Sequence, residues 1–415
     1  MREDVRSYGL ITSSYWAFTL TDGALRMLVL LHFHELGYTP VSLALLFLLY
    51  EFFGIITNLV GGWIASRLGL KVTLFAGLAT QVVALILLSF MQESWLPWVS
   101  MAYVMLAQAL SGIAKDLTKM SAKSAVKLVV PDAPGTDSHA VLFKWVAILT
   151  GSKNALKGVG FFLGGFLLST LGFQMALWAM AGGLVLVLIV SVLNIRQDLG
   201  RSKERVTFTR LFSKSRDINV LSAARCLLFG SRDVWFVVGL PLFLTDELGW
   251  SFSGVGGFLA VWVIGYGAVQ AAVPRMLQRT GSAEGGARAV KEWGFVLVAV
   301  SAAIAVSLHT EFHATVAVLA GLAVFGVVFA VNSAVHSYLI LAYSDADQVA
   351  LNVGFYYMAN ASGRLLGTLL SGSVYLVGGL TGCLWASTLC VFGSASLTML
   401  LSEPPATKGL VVPTK

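Results

Sequence analysis

Long apolar runs recur along the whole chain, with about one run of ~20 residues in every 30 to 35. A run of that length is what an α-helix needs to cross the ~30 Å hydrocarbon core of a bilayer. The 415 residues are 57% hydrophobic and only 12% charged, too few charges to cover the surface of a soluble protein of this size. The sequence therefore predicts an all-α membrane protein of about twelve transmembrane helices, the first near Thr12–Leu36 and the last near Thr381–Ser402.

Basic residues alternate from one predicted connection to the next. The connections near Arg67, Lys115 and Arg275 are basic, as is the segment 196–217, whereas Gly37–Pro40 contains neither lysine nor arginine. Because lysine and arginine concentrate in cytoplasmic loops, this pattern predicts a multi-pass protein of a bacterial inner membrane with both termini in the cytoplasm. The same rule accounts for the net charge of +7 without a nucleic-acid partner.

Several kinds of site are not indicated. Cys226, Cys383 and Cys390 all fall in apolar runs, which is typical of small buried side chains rather than of a metal site. The sequence has no Walker phosphate loop, so no nucleotide or other cofactor is expected. A membrane enzyme would need a nucleophile or acid–base set clustered near one interface, and none is evident. We expect a transporter that works as a monomer, with a ligand-binding sensor as an alternative that flux measurements would separate.

Two short motifs recur at one spacing. Glu35-Leu-Gly-Tyr-Thr39 returns as Glu247-Leu-Gly-Trp-Ser251, and Arg67-Leu-Gly69 returns as Arg279-Thr-Gly281, each 212 positions later. This spacing is near half the chain length, which indicates two parallel six-helix halves related by pseudo-symmetry. The expected parts are an N-terminal half at 1–195, a cytoplasmic linker at 196–217, a C-terminal half at 218–402 and a cytoplasmic tail at 403–415.

One connecting segment carries a family resemblance. Gly62-Trp-Ile-Ala-Ser-Arg-Leu-Gly-Leu-Lys71 resembles the loop motif between helices two and three of major facilitator superfamily carriers. The residues that fit the motif are Gly62, Arg67, Gly69 and Lys71. Ser66 and Leu70 stand where an acidic and a basic residue are usual, which puts the charge relay of this loop in doubt. The resemblance implies the major facilitator fold and a gating loop at the four matching residues.

Ionisable residues within the predicted spans are candidates for function, because a charge at mid-bilayer costs ~2.5–3.5 kcal/mol on insertion scales. Asp22 and Arg26 are four residues apart on the first helix and share a face. Two interpretations stay open. The pair is either an internal ion pair that allows the helix to insert, or a cavity-facing arginine with a carboxylate that tunes it or carries a proton.

Two lysines share a face of the fifth helix. Lys153 and Lys157 lie four residues apart with Asn154 beside them, and like charges at this spacing repel. They therefore call for an anion between them or for an acidic partner, for which Glu51 is a candidate. Arg364 occupies a corresponding place on the eleventh helix. We expect cations at pseudo-symmetric points of these two helices to hold a substrate.

The seventh helix carries three further charges. Arg232 and Asp233 are adjacent, so they are expected to diverge around the helix and to need separate partners. The planar fork of an arginine suits phosphate. Arg225 either serves in that way or snorkels from the cytoplasmic end.

Four lysines spaced by four residues follow helix four. They are Lys115, Lys119, Lys123 and Lys127. They predict a solvated amphipathic face, with an electrostatic funnel for anions as the alternative. Across all spans the cations outnumber the carboxylates, which favours a multiply charged anion as the substrate.

Four longer stretches resemble one narrow branch of the same superfamily, the organoarsenical efflux permeases that export 1-arseno-3-phosphoglycerate. The stretches are Tyr15-Trp-Ala-Phe-Thr-Leu-Thr-Asp-Gly-Ala-Leu-Arg-Met27, Gly112-Ile-Ala-Lys-Asp-Leu-Thr-Lys-Met120, Leu149-Thr-Gly-Ser-Lys-Asn-Ala-Leu-Lys-Gly158 and Arg232-Asp-Val-Trp-Phe-Val-Val-Gly-Leu-Pro241. The resemblance covers nearly the whole chain except its tail.

This second resemblance implies a division of labour. A glyceraldehyde-3-phosphate dehydrogenase partner would esterify arsenate, and the permease would expel the ester and make the cell arsenate resistant. On this interpretation the residues that bind the substrate anion are Arg26, Lys153, Asn154, Lys157, Arg232 and Arg364. Those that couple protons or balance charge are Asp22, Glu51 and Asp233. An exporter of another organic phosphate or a drug is the alternative.

Overall fold

The computed structural model describes residues 2–125, 138–195, 215–278, 283–310, 314–344 and 349–402, and within these ranges every regular element is a helix. The α-helices are α1 (Arg2–Glu35), α2 (Pro40–Leu46), α3 (Leu48–Leu68), α4 (Leu70–Ser89), α5 (Pro97–Ala125), α6 (Ser138–Asn194), α7 (Arg216–Phe236), α8 (Gly239–Leu242), α9 (Phe252–Gln278), α10 (Ala283–His309), α11 (Ala314–Ala342) and α12 (Val349–Thr398). A π-helix at Phe243–Glu247 follows α8. The predicted all-α class is confirmed.

Nine segments of the described ranges are long and apolar enough to cross a membrane. Two of them, Gly151–Asn194 and Asn352–Thr398, have 44 and 47 residues, about twice what one crossing needs. Each contains one glycine of positive φ, Gly172 at 73° and Gly379 at 57°, which interrupts the helix. If these two segments are counted as two crossings each and α1 is added, the described helices provide the twelve crossings expected from the sequence.

Each of the recurring Glu-Leu-Gly motifs ends a helix at a glycine of positive φ. Gly37 and Gly249 both have positive φ, at 81° and 65°, a conformation that glycine adopts without the steric cost of a Cβ. The amide of Tyr38 donates to the carbonyl of Phe33 at 3.1 Å, and that of Trp250 donates to the carbonyl of Leu244 at 2.9 Å. The first hydrogen bond spans five residues and the second spans six, because the second copy of the motif ends a π-helix and the first ends an α-helix.

The chain divides into two compact units. The first unit is Met1–Thr207 with Leu240–Gly267, and the second is Phe208–Gly239 with Ala268–Lys415. The predicted halves at 1–195 and 218–402 stay a prediction. Most of the predicted linker, at 196–214, and the predicted tail at 403–415 lie outside the described residues.

A pair of long helices crosses at glycines in each unit. In the first unit, a Cβ on Gly160 of α6 would lie 3.1 Å from the Cα of Gly23 in α1. In the second unit, a Cβ on Gly367 of α12 would lie 3.1 Å from the Cα of Gly230 in α7. Small residues allow helix backbones to approach this closely, which is how helices associate in a lipid environment.

Apolar side chains lie on the outside of both units as well as in their interiors. Val261 is 72% exposed, Leu389 71% and Val377 89%. Conversely, the interior of the second unit combines an apolar cluster, which includes Leu221 and Leu339, with buried polar groups. Exposed valine and leucine with a partly polar interior suit helices whose outer faces contact lipid rather than water.

Candidate functional site

In the first unit, Arg26 of α1 pairs with Glu51 of α3. Arg26 Nη1 donates to Glu51 Oε1 at 3.2 Å, and the Glu51 side chain is fully buried. The guanidinium also lies over the rings of Phe47 and Tyr50, at 5.0 and 5.7 Å from their centroids. The alternative of an internal Asp22–Arg26 pair is wrong, because Arg26 turns towards the carboxylate on the neighbouring helix. Its Nη2 is buried with no hydrogen-bond partner among the described residues, so one donor is left for a ligand.

Asp22 has a neutral partner instead. The hydroxyl of Tyr50 donates to Asp22 Oδ1 at 2.7 Å, and both residues are buried. The ring of the same tyrosine carries Lys115 Nζ over its face, 4.0 Å from the centroid. Tyr50 therefore joins a carboxylate of α1 to a lysine of α5, which the sequence alone did not indicate.

A third buried carboxylate in the first unit is Asp116 of α5, which is 1% exposed. It accepts hydrogen bonds from the hydroxyl of Thr57 and the ammonium of Lys119, and Lys119 also donates to Asn58 Oδ1 at 2.6 Å. Lys119 is largely buried, so for this residue the prediction of a solvated lysine face is wrong. Lys115 is half-buried, and within 123–127 only Ala125 has a described side chain.

Lys153, Asn154 and Lys157 lie half-buried on α6. Lys157 Nζ stands 5.5 Å from the centroid of the Phe161 ring, one turn further along the helix. A Cβ on Gly267 of α9 would lie 3.0 Å from the Cβ of Asn154, so this residue packs closely against α9. The lysines lie on a helix that is anchored on one side by α1 and on the other by α9.

In the second unit, Arg232 and Asp233 pair with each other. Arg232 Nε donates to Asp233 Oδ1 at 2.6 Å, and Arg364 Nε of α12 lies 3.6 Å from Asp233 Oδ2. The prediction that the adjacent residues of α7 need separate partners is wrong, because the long arginine side chain folds back to its neighbour. One buried carboxylate is thus shared by two cations, and the cluster keeps an excess positive charge.

One cation in each unit lies at the same distance along the chain from the glycine where its helix crosses another. Lys157 lies three residues before Gly160, and Arg364 lies three residues before Gly367. The two cations therefore occupy equivalent positions relative to the helix crossings of their units. In the first unit the candidate residues comprise three cations and two carboxylates, and in the second unit two cations and one carboxylate.

The predicted gating loop is described only in part. Gly69 has a positive φ of 82° and precedes α4, and Lys71 Nζ lies 5.9 Å from the Phe75 ring centroid. Gly62 lies within α3, and the side chain of Arg67 is outside those that the structure describes. The turn thus has the glycine conformation that the motif requires, while the role of the loop in gating stays a prediction.

The structure also places polar residues that the sequence analysis did not single out. His336 and Asn332 of α11 are buried in the second unit, near Arg225 of α7. Arg225 is 4% exposed, so the snorkelling alternative for it is wrong. The sequence signal that could have identified these positions is the presence of isolated polar residues within the apolar run of α11. Within the described residues, no group of three histidines, cysteines or carboxylates is arranged to hold a metal ion.

Comparisons with known proteins agree on the fold. The sequence profile of the Major Facilitator Superfamily matches residues 11–283. No curated protein sequence matches the chain. Among solved structures, the nucleoside transporter NupG is similar at a TM-score of 0.70 with 16% identity, covering 95% of this chain and 98% of the other.

Two further structures are similar over the same length. A POT family transporter in complex with a thioalcohol-conjugated peptide has a TM-score of 0.72 and 15% identity, with 95% of each chain covered. A bacterial homologue of the iron transporter ferroportin, in an inward-facing state, has a TM-score of 0.68 and 13% identity, with 96% of this chain and 98% of the other covered. At these identities the likeness concerns the fold alone.

Proposed function

This chain belongs to the major facilitator superfamily and is a multi-pass secondary transporter, and we propose that it exports an anionic organoarsenical, 1-arseno-3-phosphoglycerate. The ester would be made by a glyceraldehyde-3-phosphate dehydrogenase that acts upstream. The transporter would work as a monomer in a bacterial inner membrane with both termini in the cytoplasm. Its transport would confer arsenate resistance, because the exported ester decomposes outside the cell.

The observation that carries the proposal is the excess of cations among the membrane-embedded candidates of each unit. The first unit has three candidate cations, Arg26, Lys153 and Lys157, and two candidate carboxylates. The second unit has two, Arg232 and Arg364, and one candidate carboxylate. A cation within a membrane is costly, so it is normally functional or paired with an anion. A substrate that carries both a phosphate and an arsenate ester would bring negative charge to residues that are mostly cationic.

The chemistry of the donors supports an oxyanion as the ligand. Guanidinium and ammonium groups donate charge-assisted hydrogen bonds to phosphate-like oxygens. Pentavalent arsenic esterified to oxygen presents the same kind of oxygens and needs no soft sulfur ligand. The three cysteines are free thiols within apolar helices, and Cys383 is buried, in agreement with a site that uses nitrogen donors.

The candidate residues have two roles in this proposal. The residues that bind substrate oxygens are Arg26, Lys153, Asn154, Lys157, Arg232 and Arg364. The carboxylates Asp22, Glu51 and Asp233 balance charge when the substrate is absent or couple protons to its movement. In the second unit the looser contact, 3.6 Å between Arg364 and Asp233, is the one that an arriving anion would replace first.

The proposal is tested in an arsenate-sensitive bacterium that expresses this chain with and without the dehydrogenase. Arsenic retained by the cells after exposure to arsenate is expected to fall only when both proteins are present. Lys157→Gln and Arg364→Gln should each restore retention at unchanged membrane levels. Arg288→Gln, which removes an exposed charge from α10, serves as the control and should export normally.

The other outcomes identify the alternative substrates. Lower retention with this chain alone would mean that it exports a different arsenic species. If retention were unchanged in every combination although the protein is present in the membrane, the arsenical would be rejected as the substrate. Another organic phosphate or a drug would then be the proposed substrate. Normal export by both charge-removal variants would exclude direct substrate binding by these two residues.

A further inference from the structure

We infer that the second unit contains an additional oxyanion-binding subsite, formed by Arg225 and Ser222 of α7 with Asn332 and His336 of α11. None of these four residues belongs to the substrate site proposed above. The choice of a phosphate-like ligand rests on the proposed function, whereas the existence of the subsite rests on the contacts of these residues.

Arg225 is a buried cation that has no acidic partner among the described residues. Its guanidinium Nη1 donates to the carbonyl oxygen of Ser333 at 3.0 Å. Its planar face lies 4.1 Å from the centroid of the Phe229 ring and 4.9 Å from that of Tyr356. No described ion pair includes Arg225, and its Nε has no hydrogen-bond partner within the described ranges. A carbonyl and two ring faces stabilise a guanidinium only partly, so a desolvated positive charge is left.

Three further polar groups near Arg225 lack hydrogen-bond partners within the part of the chain that the structure describes. Ser222 lies one turn before Arg225 on the same face of α7, and Asn332 and His336 flank Ser333 on α11. Each of them is at least 97% buried. Ser222 Oγ, Asn332 Nδ2 and His336 Nδ1 make no hydrogen bond to any described residue. The first two can donate, and His336 Nδ1 donates in the tautomer that carries its proton there.

The combination indicates the chemistry of the occupant. Buried polar groups in folded proteins are nearly always hydrogen-bonded, so several unpaired donors on two adjacent helices point to a shared missing acceptor. Water would accept these hydrogen bonds but would leave the charge of Arg225 uncompensated. An oxyanion supplies both the negative charge and several oxygens that accept from different directions.

The Phe229 ring connects this subsite to the substrate residues of the second unit. The ring lies 4.1 Å from the guanidinium of Arg225 and 4.9 Å from that of Arg232, which is two turns further along α7. Both arginines therefore line one face of the helix with an aromatic ring between them. An anion held at Arg225 would be close to the Arg232–Asp233–Arg364 cluster, which makes the subsite a waiting position for the transported anion.

The test measures binding of radiolabelled inorganic phosphate to the purified full-length protein. The Arg364→Gln variant is the parent, because it weakens the proposed substrate site and leaves the Arg225 subsite intact. Phosphate should bind to this parent, and at least tenfold more weakly to the Arg225→Gln/Arg364→Gln double variant. Arg288→Gln/Arg364→Gln removes an exposed arginine instead and should bind like the parent.

Asn332→Asp in the same parent tests whether binding is lost because the subsite is changed or because the protein is misfolded. The substitution preserves the shape of the side chain and places a carboxylate beside Arg225, so it should exclude phosphate without unfolding the protein. Equal binding by the parent, the Arg225→Gln double variant and the Asn332→Asp double variant would overturn the subsite, and so would the absence of binding in all three. Failure of arsenic export together with Arg225-dependent phosphate binding would instead overturn the proposed function and leave the subsite standing.

Discussion

His34 Nε2 lies 2.7 Å from Asp246 Oδ1, and the two residues are 212 positions apart, the spacing at which the Glu35-Leu-Gly and Glu247-Leu-Gly motifs recur. Equivalent residues of two related helix ends therefore contact each other directly. The side chains are 20% and 46% exposed, so the pair contributes no more than about 1 kcal/mol to stability. Because the pair joins corresponding ends of the two predicted halves, we expect it to break when those halves move.

A covalent link between these two positions is expected to stop transport. Major facilitator carriers expose their substrate site alternately by rocking of two helix bundles, and a tie between equivalent helix ends would prevent this. The variant is His34→Cys/Asp246→Cys in a background where Cys226, Cys383 and Cys390 are alanine, treated with a short bifunctional thiol reagent. Arsenic retention in cells is the measurement, and the two single-cysteine variants treated with the same reagent are the controls. Normal export by the cross-linked protein would show that these ends need not separate.

Gly160→Ala is expected to destabilise the protein by about 1–3 kcal/mol, the usual cost of overpacking. The new methyl group would contact the carbonyl oxygen of Leu20 and lie 3.1 Å from the Cα of Gly23, and neither backbone atom can move aside. Gly182→Ala in the same helix would meet nothing within 4 Å and provides the control. Thermal unfolding of the detergent-solubilised variants measures the difference. If both variants unfolded at the same temperature, the close crossing of α1 and α6 would not contribute to stability.

The sequence predicted the helices and the charges that they carry, but not the partners of those charges. Spacing along one helix allowed Asp22 to pair with Arg26, whereas Arg26 pairs with Glu51 and Asp22 with Tyr50. Which helices become neighbours depends on contacts between residues far apart in the chain. Spacing along one helix carries no information about such contacts.

The pairing of Arg232 with Asp233 was missed for a different reason. The Cα–Cβ bonds of adjacent helical residues point in different directions, which separates the beginnings of their side chains. The arginine side chain is long and flexible enough to bend back, so that its guanidinium reaches the neighbouring carboxylate. Lys119 was missed likewise, because a buried carboxylate three residues earlier draws in a side chain that the lysine pattern placed in solvent. In both cases a long cationic side chain bends towards a buried carboxylate on its own helix and pairs with it.

The repeat itself is regular only in part. The crossing glycines Gly23 and Gly230 are 207 positions apart, whereas the motifs at Glu35 and Glu247 are 212 apart. The second copy therefore contains five more residues in this interval, where α7 ends, α8 is short and a π-helix follows. A π-helix is rare and occurs mostly as a single turn, so this one marks a local departure from regular helix geometry. Motif matching located the repeat but could not predict this irregular segment.

Asp233→Asn is expected to destabilise the protein more than Arg364→Gln does. The asparagine would leave two cations without their shared carboxylate, and breaking a buried pair costs about 3–5 kcal/mol. The glutamine leaves the Arg232–Asp233 pair in place, so it should cost less. The double variant should be more stable than Asp233→Asn alone, because it removes one of the two cations that shared the carboxylate. Unfolding temperatures in detergent decide the order, and a larger loss for Arg364→Gln would contradict the shared-carboxylate arrangement.

Asp116→Asn provides the corresponding test in the first unit. Asp116 accepts from Thr57 and Lys119, and Lys119 has few contacts with water, so the substitution would remove the carboxylate that balances a largely buried ammonium, at a cost of about 3–5 kcal/mol. Adding Lys119→Met should recover much of the loss, since it removes the ammonium charge but keeps the apolar stem. Asp246→Asn is the control at a half-exposed carboxylate and should cost less than about 1 kcal/mol. Thermal unfolding measures the loss of stability in each variant. Equal losses for Asp116→Asn and Asp246→Asn would mean that the Lys119 ammonium reaches solvent when Asp116 is neutralised, as the prediction of a solvated lysine face requires.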